Sequence, residues 1–142
     1  MEDLSGFIKK WEETLNNDEE LQLRNKDKAS TLEGKVAVQL NIKGVGEYSI
    51  SVKDGKFSID KGPAQNSLLL WNVPIALLQE VLLNKQPVFY GLLDERGKLL
   101  FDTPNFTHFN GASIIEILYL AQGVVKNDAT IHQCIEQLGG QG

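Results

Sequence analysis

The sequence predicts an α+β domain, a five-stranded, mainly antiparallel sheet with helices covering one face. Three observations carry that reading. Leu4, Phe7, Ile8, Trp11 and Leu15 recur at helical spacing near the N-terminus. Residues 35–71 then switch to runs of two-residue alternation broken by turns. Helical spacing returns at Pro74 and again across the last third of the chain. Strands and helices grouped in this way build a sheet with helices packed on one side.

The first amphipathic helix covers residues 5–16, with Ser5 as a candidate cap and Asn16-Asn17 as its stop. Residues 18–35 are charged and contain only Leu21, Leu23 and Leu32 as larger apolar residues, so they read as a short helix, a surface loop, or both. Val36, Val38, Leu40 and Ile42 alternate with polar or small neighbours, as in a half-buried strand. Tyr48, Ile50 and Val52 continue the pattern beyond the Gly44-Val45-Gly46 turn. Asp54-Gly55 suits the positive φ angles of a tight hairpin turn, and Phe57 and Ile59 follow it. Lys61-Gly62-Pro63 closes that strand, and Ser67–Trp71 supplies a fourth, giving a four-strand meander over residues 35–71.

Pro74 fits the first position of a helix with Ile75, Leu78 and Leu82 on one stripe, ending at Asn84 or Lys85. Residues 86–93 read as a helical turn or a strand start. Lys98–Asp102 is the fifth strand, after an Asp94-Glu95-Arg96-Gly97 turn. Residues 112–122 form an almost wholly apolar helix. A last amphipathic helix covers 128–138, capped by Asp128, with Ile131, Cys134, Ile135 and Leu138 on one side. The chain is read as one domain over residues 1–142. Residues 1–35 are the N-terminal helix and charged connector, 36–122 the core, and 128–138 the C-terminal helix.

Composition removes several functions. The chain has 142 residues and a formal net charge of −5. A chain of this length holds one core without staples, and a single Cys forms no internal disulfide. One Cys and two His build neither a zinc finger nor an iron–sulfur site, so no metal or cofactor is expected. An acidic chain is a poor partner for nucleic acid, whose binding rests on Lys and Arg meeting phosphate. No apolar stretch is long enough to span a bilayer, and the acidic N-terminus does not resemble a secretory signal, so a cytoplasmic location is expected.

Catalytic signatures are weak. Gly44-Val45-Gly46 lies between two strands, whereas a phosphate-binding loop needs a strand before it and a helix after it. Cys134 and His132 are two residues apart on a helix and point in different directions. Cys134 reads as a small core residue. His108 reads as a loop or capping residue, and Asp102 with His108 offers an acid–base pair with no serine nucleophile motif beside it. Asp94-Glu95 and Glu19-Glu20 read as solvated carboxylates on turns. The chain is therefore expected not to be an enzyme.

The stronger signal is an apolar excess. Residues 1–35 carry fifteen charges, whereas residues 99–142 carry only Asp102, Glu116, Lys126, Asp128 and Glu136. Leu68-Leu69-Leu70-Trp71 is apolar on both faces of its strand, and Ile114–Ala121 leaves its helix apolar almost all round. Such a helix is buried on several sides or faces a second apolar surface. Two explanations follow: a packed core with a homodimer contact, or an apolar cavity that holds a lipid.

From Val36 to about Leu120 the chain resembles the sterol-carrier-protein-2 type lipid-binding domain. The strand pair with Asp54-Gly55-Lys56-Phe57 and Lys61-Gly62-Pro63-Ala64 matches that pattern. So do the short strand Ser67–Trp71, the helix Val73–Leu83, and Asn84-Lys85-Gln86-Pro87 where the family has a glycine-containing helix end. Phe89 with Gly91, or Gly97-Lys98-Leu99-Leu100-Phe101-Asp102, matches the next segment, before a closing apolar helix. Two features depart from the family. Phe101 stands before Asp102 where the family has glycine, and residues 92–98 resemble an insertion.

The resemblance implies a sheet and helices around an apolar tunnel, binding sterol, fatty acid, acyl-CoA or a related lipid without chemistry. Candidate lining residues are Leu70, Leu78, Leu82, Phe89, Phe101, Phe106, Ile115, Leu118 and Tyr119, with Trp11 or Ile135 as a lid contact. Partners are then a lipid and, at most transiently, a membrane surface, for a monomer or homodimer. The alternatives are a protein-interaction or homodimerisation module using the apolar C-terminal helices, and a small hydrolase or isomerase using Asp102 and His108.

Overall fold

The computed structural model describes residues 4–26, 32–64, 66–102 and 108–138. The elements run α1 (Ser5–Asn17), α2 (Glu19–Lys26), β1 (Val36–Lys43), β2 (Gly46–Lys53), β3 (Lys56–Lys61), β4 (Leu69–Pro74), α3 (Ile75–Leu82), α4 (Val88–Leu93), β5 (Lys98–Phe101), α5 (His108–Asn127) and α6 (Ala129–Gln137). The fold is α+β, and the five strands lie in the order β3-β2-β1-β4-β5.

The meander has three strands, not four. β4 does not pair with β3. It crosses to the far side of β1 and pairs with it in parallel, Leu40 opposite Trp71. The connection passes over the polar face of the sheet, where Ala64 N–H donates to Gln39 Oε1 at 2.8 Å and Leu68 N–H donates to the Val36 carbonyl at 2.9 Å. Gln39 is buried as a result, although it lies on the face away from the helices. Alternation identifies a strand but says nothing of its partner, because any neighbour satisfies the same pleat.

One face of the sheet carries Val38, Leu40, Ile42, Ile50, Val52, Phe57, Ile59, Leu69, Trp71 and Val73, all buried in one apolar cluster with the helices. α1 adds Leu4, Phe7, Trp11 and Leu15 to that cluster. Its cap position is Leu4 rather than Ser5, and it makes no side-chain capping bond. Asp18 ends α1 and opens α2, its Oδ2 accepting from Leu21 N–H at 3.0 Å. The charged connector thus begins as a second helix.

α3 starts one residue later than expected, with Pro74 at the cap. It ends on Asn84 in the left-handed region (φ 59). Asn84 N–H bonds the Val81 carbonyl and Lys85 N–H the Glu80 carbonyl, the pair of bonds that a glycine usually allows at a helix end. Residues 88–93 are the helical turn α4. Gly91 permits its close approach to α3, because a Cβ there would overlap Val81 Cγ2. α5 is longer than expected, running from 108 to 127. Asp128 caps α6 as expected, accepting from Thr130 and Ile131 N–H. The end of α6 is held by Gln79 Nε2 of α3, which donates to the carbonyls of Ile135, Glu136 and Leu138 at 2.8–2.9 Å.

Candidate functional site

The apolar layer between sheet and helices is where a hydrophobic ligand would have to sit. Its floor is Leu40 of β1 and Trp71 of β4. Leu78, Val81 and Leu82 of α3 and Leu118 and Ala121 of α5 form the roof. Three expected lining residues, Leu78, Leu82 and Leu118, therefore come together. Leu78 and Leu82 share a face of α3, since positions four apart lie on one side of a helix.

The layer is filled. Phe7 and Trp11 of α1 lie in it, stacked with ring centroids 5.4 Å apart and planes at 25°. Trp11 Nε1 donates to the Ile117 carbonyl of α5 at 3.0 Å, a buried bond. The remaining space is about 10 Å³, near the minimum that accommodates one water. Trp11, expected as a lid contact, is fully buried within this layer. The chain's own stripe of Phe7, Trp11 and Leu15 was the signal, but the sequence does not say which surface the stripe covers.

The other expected lining residues lie elsewhere. Leu70 is half-buried on the opposite face of the sheet, between Gln39 of β1 and Leu100 of β5. Ile115 is half-buried against the core. Phe89, Phe101 and Tyr119 are exposed by 55%, 45% and 48%. With Tyr90, Leu93 and Leu100 they give α4, β5 and α5 large apolar residues in solvent. α4 packs on both β5 and α5, while Leu100 pairs with Leu70 on the sheet face away from the helices and Phe101 with Leu69 on the other. Phe106 lies outside the described residues. Ile135 is buried at the α6 end.

α5 is apolar all round because its own chain surrounds it. It packs against α1, α2, α3, α4 and α6. Ile114, Ile117, Leu118, Val124 and Val125 are all buried. The expected pairing of Asp102 with His108 falls on a side chain outside the described residues. Cys134 is half-buried, and His132 Nδ1 pairs with Glu136 Oε1 at 3.1 Å on the exposed side of α6. Among the described residues no group of His, Cys, Asp and Glu is arranged to hold a metal ion.

A second depression, of about 650 Å³, opens where β1, β2, β4 and β5 meet α3, lined by Asn41, Lys43, Glu47, Asn72, Arg96 and Lys98 among others. An amide chain runs across its floor, from Gln39 Nε2 to Asn41 Oδ1 (2.7 Å) and from Asn41 Nδ2 to Asn72 Oδ1 (2.8 Å). Arg96 is already committed. It bonds both oxygens of Glu80 (2.7 and 3.0 Å) and both of Asp94 (3.1 and 2.9 Å). Hydrogen bonding from Arg96 holds the carboxyls of Glu80 and Asp94 below the usual carboxylate range, and the two carboxylates hold Arg96 above its own.

No protein-family model matches this chain, and no curated protein sequence does. Solved structures do match in shape. A ubiquinone synthesis protein, UbiJ-SCP2, superposes with a TM-score of 0.54 at 13% identity, over 83% of this chain and 89% of that one. A conserved hypothetical protein of Thermus thermophilus, put forward as a sterol carrier protein, superposes with a TM-score of 0.56 at 18% identity, over 84% and 87%. The mixed sheet with helices over one face, and the apolar layer between them, are the sterol-carrier-protein-2 fold.

Proposed function

We propose that this chain is a single-domain, non-catalytic lipid-binding protein of the cytoplasm, taking a sterol, fatty acid, acyl-CoA or related lipid into the layer between the sheet and α3 and α5. The observation that carries this is the convergence of Leu78, Leu82 and Leu118 with Leu40 and Trp71 on one wholly apolar layer, within a sterol-carrier fold. Each buried methylene contributes about 0.8 kcal/mol. A long acyl chain therefore outweighs an association cost of roughly 4–15 kcal/mol. The exposed Phe89, Tyr90, Leu93, Phe101 and Tyr119 supply a surface for transient contact with a bilayer during transfer. Among the described residues no helix is long and apolar enough to cross one.

Native mass spectrometry after gentle purification, followed by titration with a fluorescent fatty acid, tests the reading. Co-purified lipid, or saturable uptake displaced by unlabelled fatty acid, is the expected result. Protein that carries no lipid and ignores the probe at all concentrations refutes it. The dimerisation reading uses the apolar C-terminal helices, but the chain itself covers most of the apolar surface of α5. Sedimentation showing a tight dimer without lipid uptake would revive it.

A further inference from the structure

The predicted ligand wall is intact, but the space beside it is occupied by the chain's own α1. Phe7 and Trp11 touch the same layer that Leu40, Trp71, Leu78, Val81, Leu82, Leu118 and Ala121 enclose, and leave about 10 Å³ of it open. A lipid chain cannot share that layer with both rings. Either the rings leave or the ligand stays out.

α1 is attached in a way that allows exchange. On the layer side, the hydrogen bond from Trp11 Nε1 to the Ile117 carbonyl ties it to α5. The rings are otherwise held there by apolar contact, which another apolar group can replace. The second attachment of α1 is to the edge of β3. Asn16 Oδ1 accepts from Phe57 N–H at 2.7 Å, Asn16 Nδ2 donates to the Phe57 carbonyl at 3.0 Å, and Glu12 Oε2 accepts from Ile59 N–H at 2.8 Å. These bonds secure the helix to the sheet independently of the two rings.

Resting on the lipid-binding reading above, we propose that α1 is a built-in occupant of the lipid site. Phe7 and Trp11 fill the layer in the ligand-free protein, and a lipid chain binds by displacing them. The device gives a lipid carrier a closed, water-free resting state. It also lowers apparent affinity by the fraction of molecules in which the rings have moved out, so a change that loosens α1 tightens lipid binding. The ligand best suited is one unbranched acyl chain, because the vacated space is a layer one side chain deep between sheet and helices.

Two measurements test this. The first compares binding of cis-parinaric acid by the wild-type chain, Trp11→Leu and Phe7→Ala. The expected outcome is at least tenfold tighter binding by either variant, since each removes part of the competing occupant. The second uses the wild-type chain alone, so it stands even if a variant fails to fold. Saturating oleate should speed backbone hydrogen exchange across residues 7–15 while amides of β1 and β4 stay protected. Equal affinity in all three proteins, with α1 equally protected with and without oleate, overturns the proposal yet leaves lipid binding in place at another position. Absence of binding by every protein overturns the lipid reading and this proposal together. A variant that takes up probe where the wild type does not supports the occupant role.

Discussion

Along β3, α1 runs beside the outermost strand and finishes it. Asn16 takes both the N–H and the carbonyl of Phe57, as a neighbouring strand would, and Glu12 takes the N–H of Ile59. Along β5 the sheet ends on a four-residue strand in which Leu100 and Phe101 are 47% and 45% exposed. One side of this molecule is sealed by its own side chains. The other presents aromatic and aliphatic groups to solvent.

The largest consequence concerns the sealed side. Trp11→Ala removes a fully buried indole and its bond to Ile117. It should lower the unfolding free energy by about 3–5 kcal/mol, read from urea denaturation. Phe101→Ala, at the open side, should cost far less, because nearly half of that ring already meets water. Similar losses at both positions would break the contrast.

Next is the tight seam between α3 and α4. In Gly91→Ala the new methyl would overlap Val81 Cγ2, and overpacking of this kind costs about 1–3 kcal/mol. Trimming the obstacle should relieve it, so Gly91→Ala should be markedly less harmful in a Val81→Ala background. A double-mutant cycle checks this, and simple additivity would show that the two groups do not meet.

Much of this architecture could be read from residues alone, and the failures have a physical pattern. Local signals survived. Asp54 and Gly55 do adopt positive φ angles (54 and 77), and Asp128 does cap its helix. Helical spacing also turns Leu78, Leu82 and Leu118 toward one apolar layer, because it fixes a face wherever the helix packs. Non-local choices failed. β4 chose β1 over β3, and nothing in the alternation of Leu69, Trp71 and Val73 distinguishes those neighbours. Residues 88–93 are too short to show a period, so α4 stayed ambiguous until packed. Phe89 and Phe101 were assigned inward because apolar identity suggests burial, yet they are 55% and 45% exposed, and much of any folded protein's surface is apolar. The place of Phe7 in the apolar layer was hidden for a related reason. A helix stripe names the residues that want burial, and the partner surface lies more than thirty positions further along the chain.

A paired experiment at the two edges asks for smaller effects. Asn16→Ala leaves Phe57 N–H and carbonyl without their partner, a loss of roughly 1–3 kcal/mol, visible as a lower urea midpoint. Leu93→Ser, at a residue 63% exposed, should stay within about 0.5 kcal/mol of wild type. The same serine should slow transfer of a labelled fatty acid from vesicles several-fold, since it removes apolar surface at the contact end. Stability loss at Leu93 with unchanged transfer would reverse the assignment of the two edges.

The smallest effect lies beside the open edge, where Arg96 joins Glu80 of α3 to Asp94 at the end of α4. Both carboxyls titrate below their ordinary range because the folded chain places the guanidinium against them. Folding therefore favours their ionised forms. Their contribution is complete above the ordinary carboxylate range and declines as pH falls through the lowered folded values. The groups lie at the surface, with Asp94 the most shielded at 17% exposed, so the contribution is small and weakened by salt. Thermal melts of wild type and Arg96→Leu should differ slightly at pH 7 and low ionic strength, then converge as pH drops below about 4, the ordinary carboxylate range. Convergence should also follow addition of salt at pH 7. A gap that stays constant from pH 7 to 2 would mean that Arg96 acts through the packing of its aliphatic stem, and that the open edge owes nothing to this charge cluster.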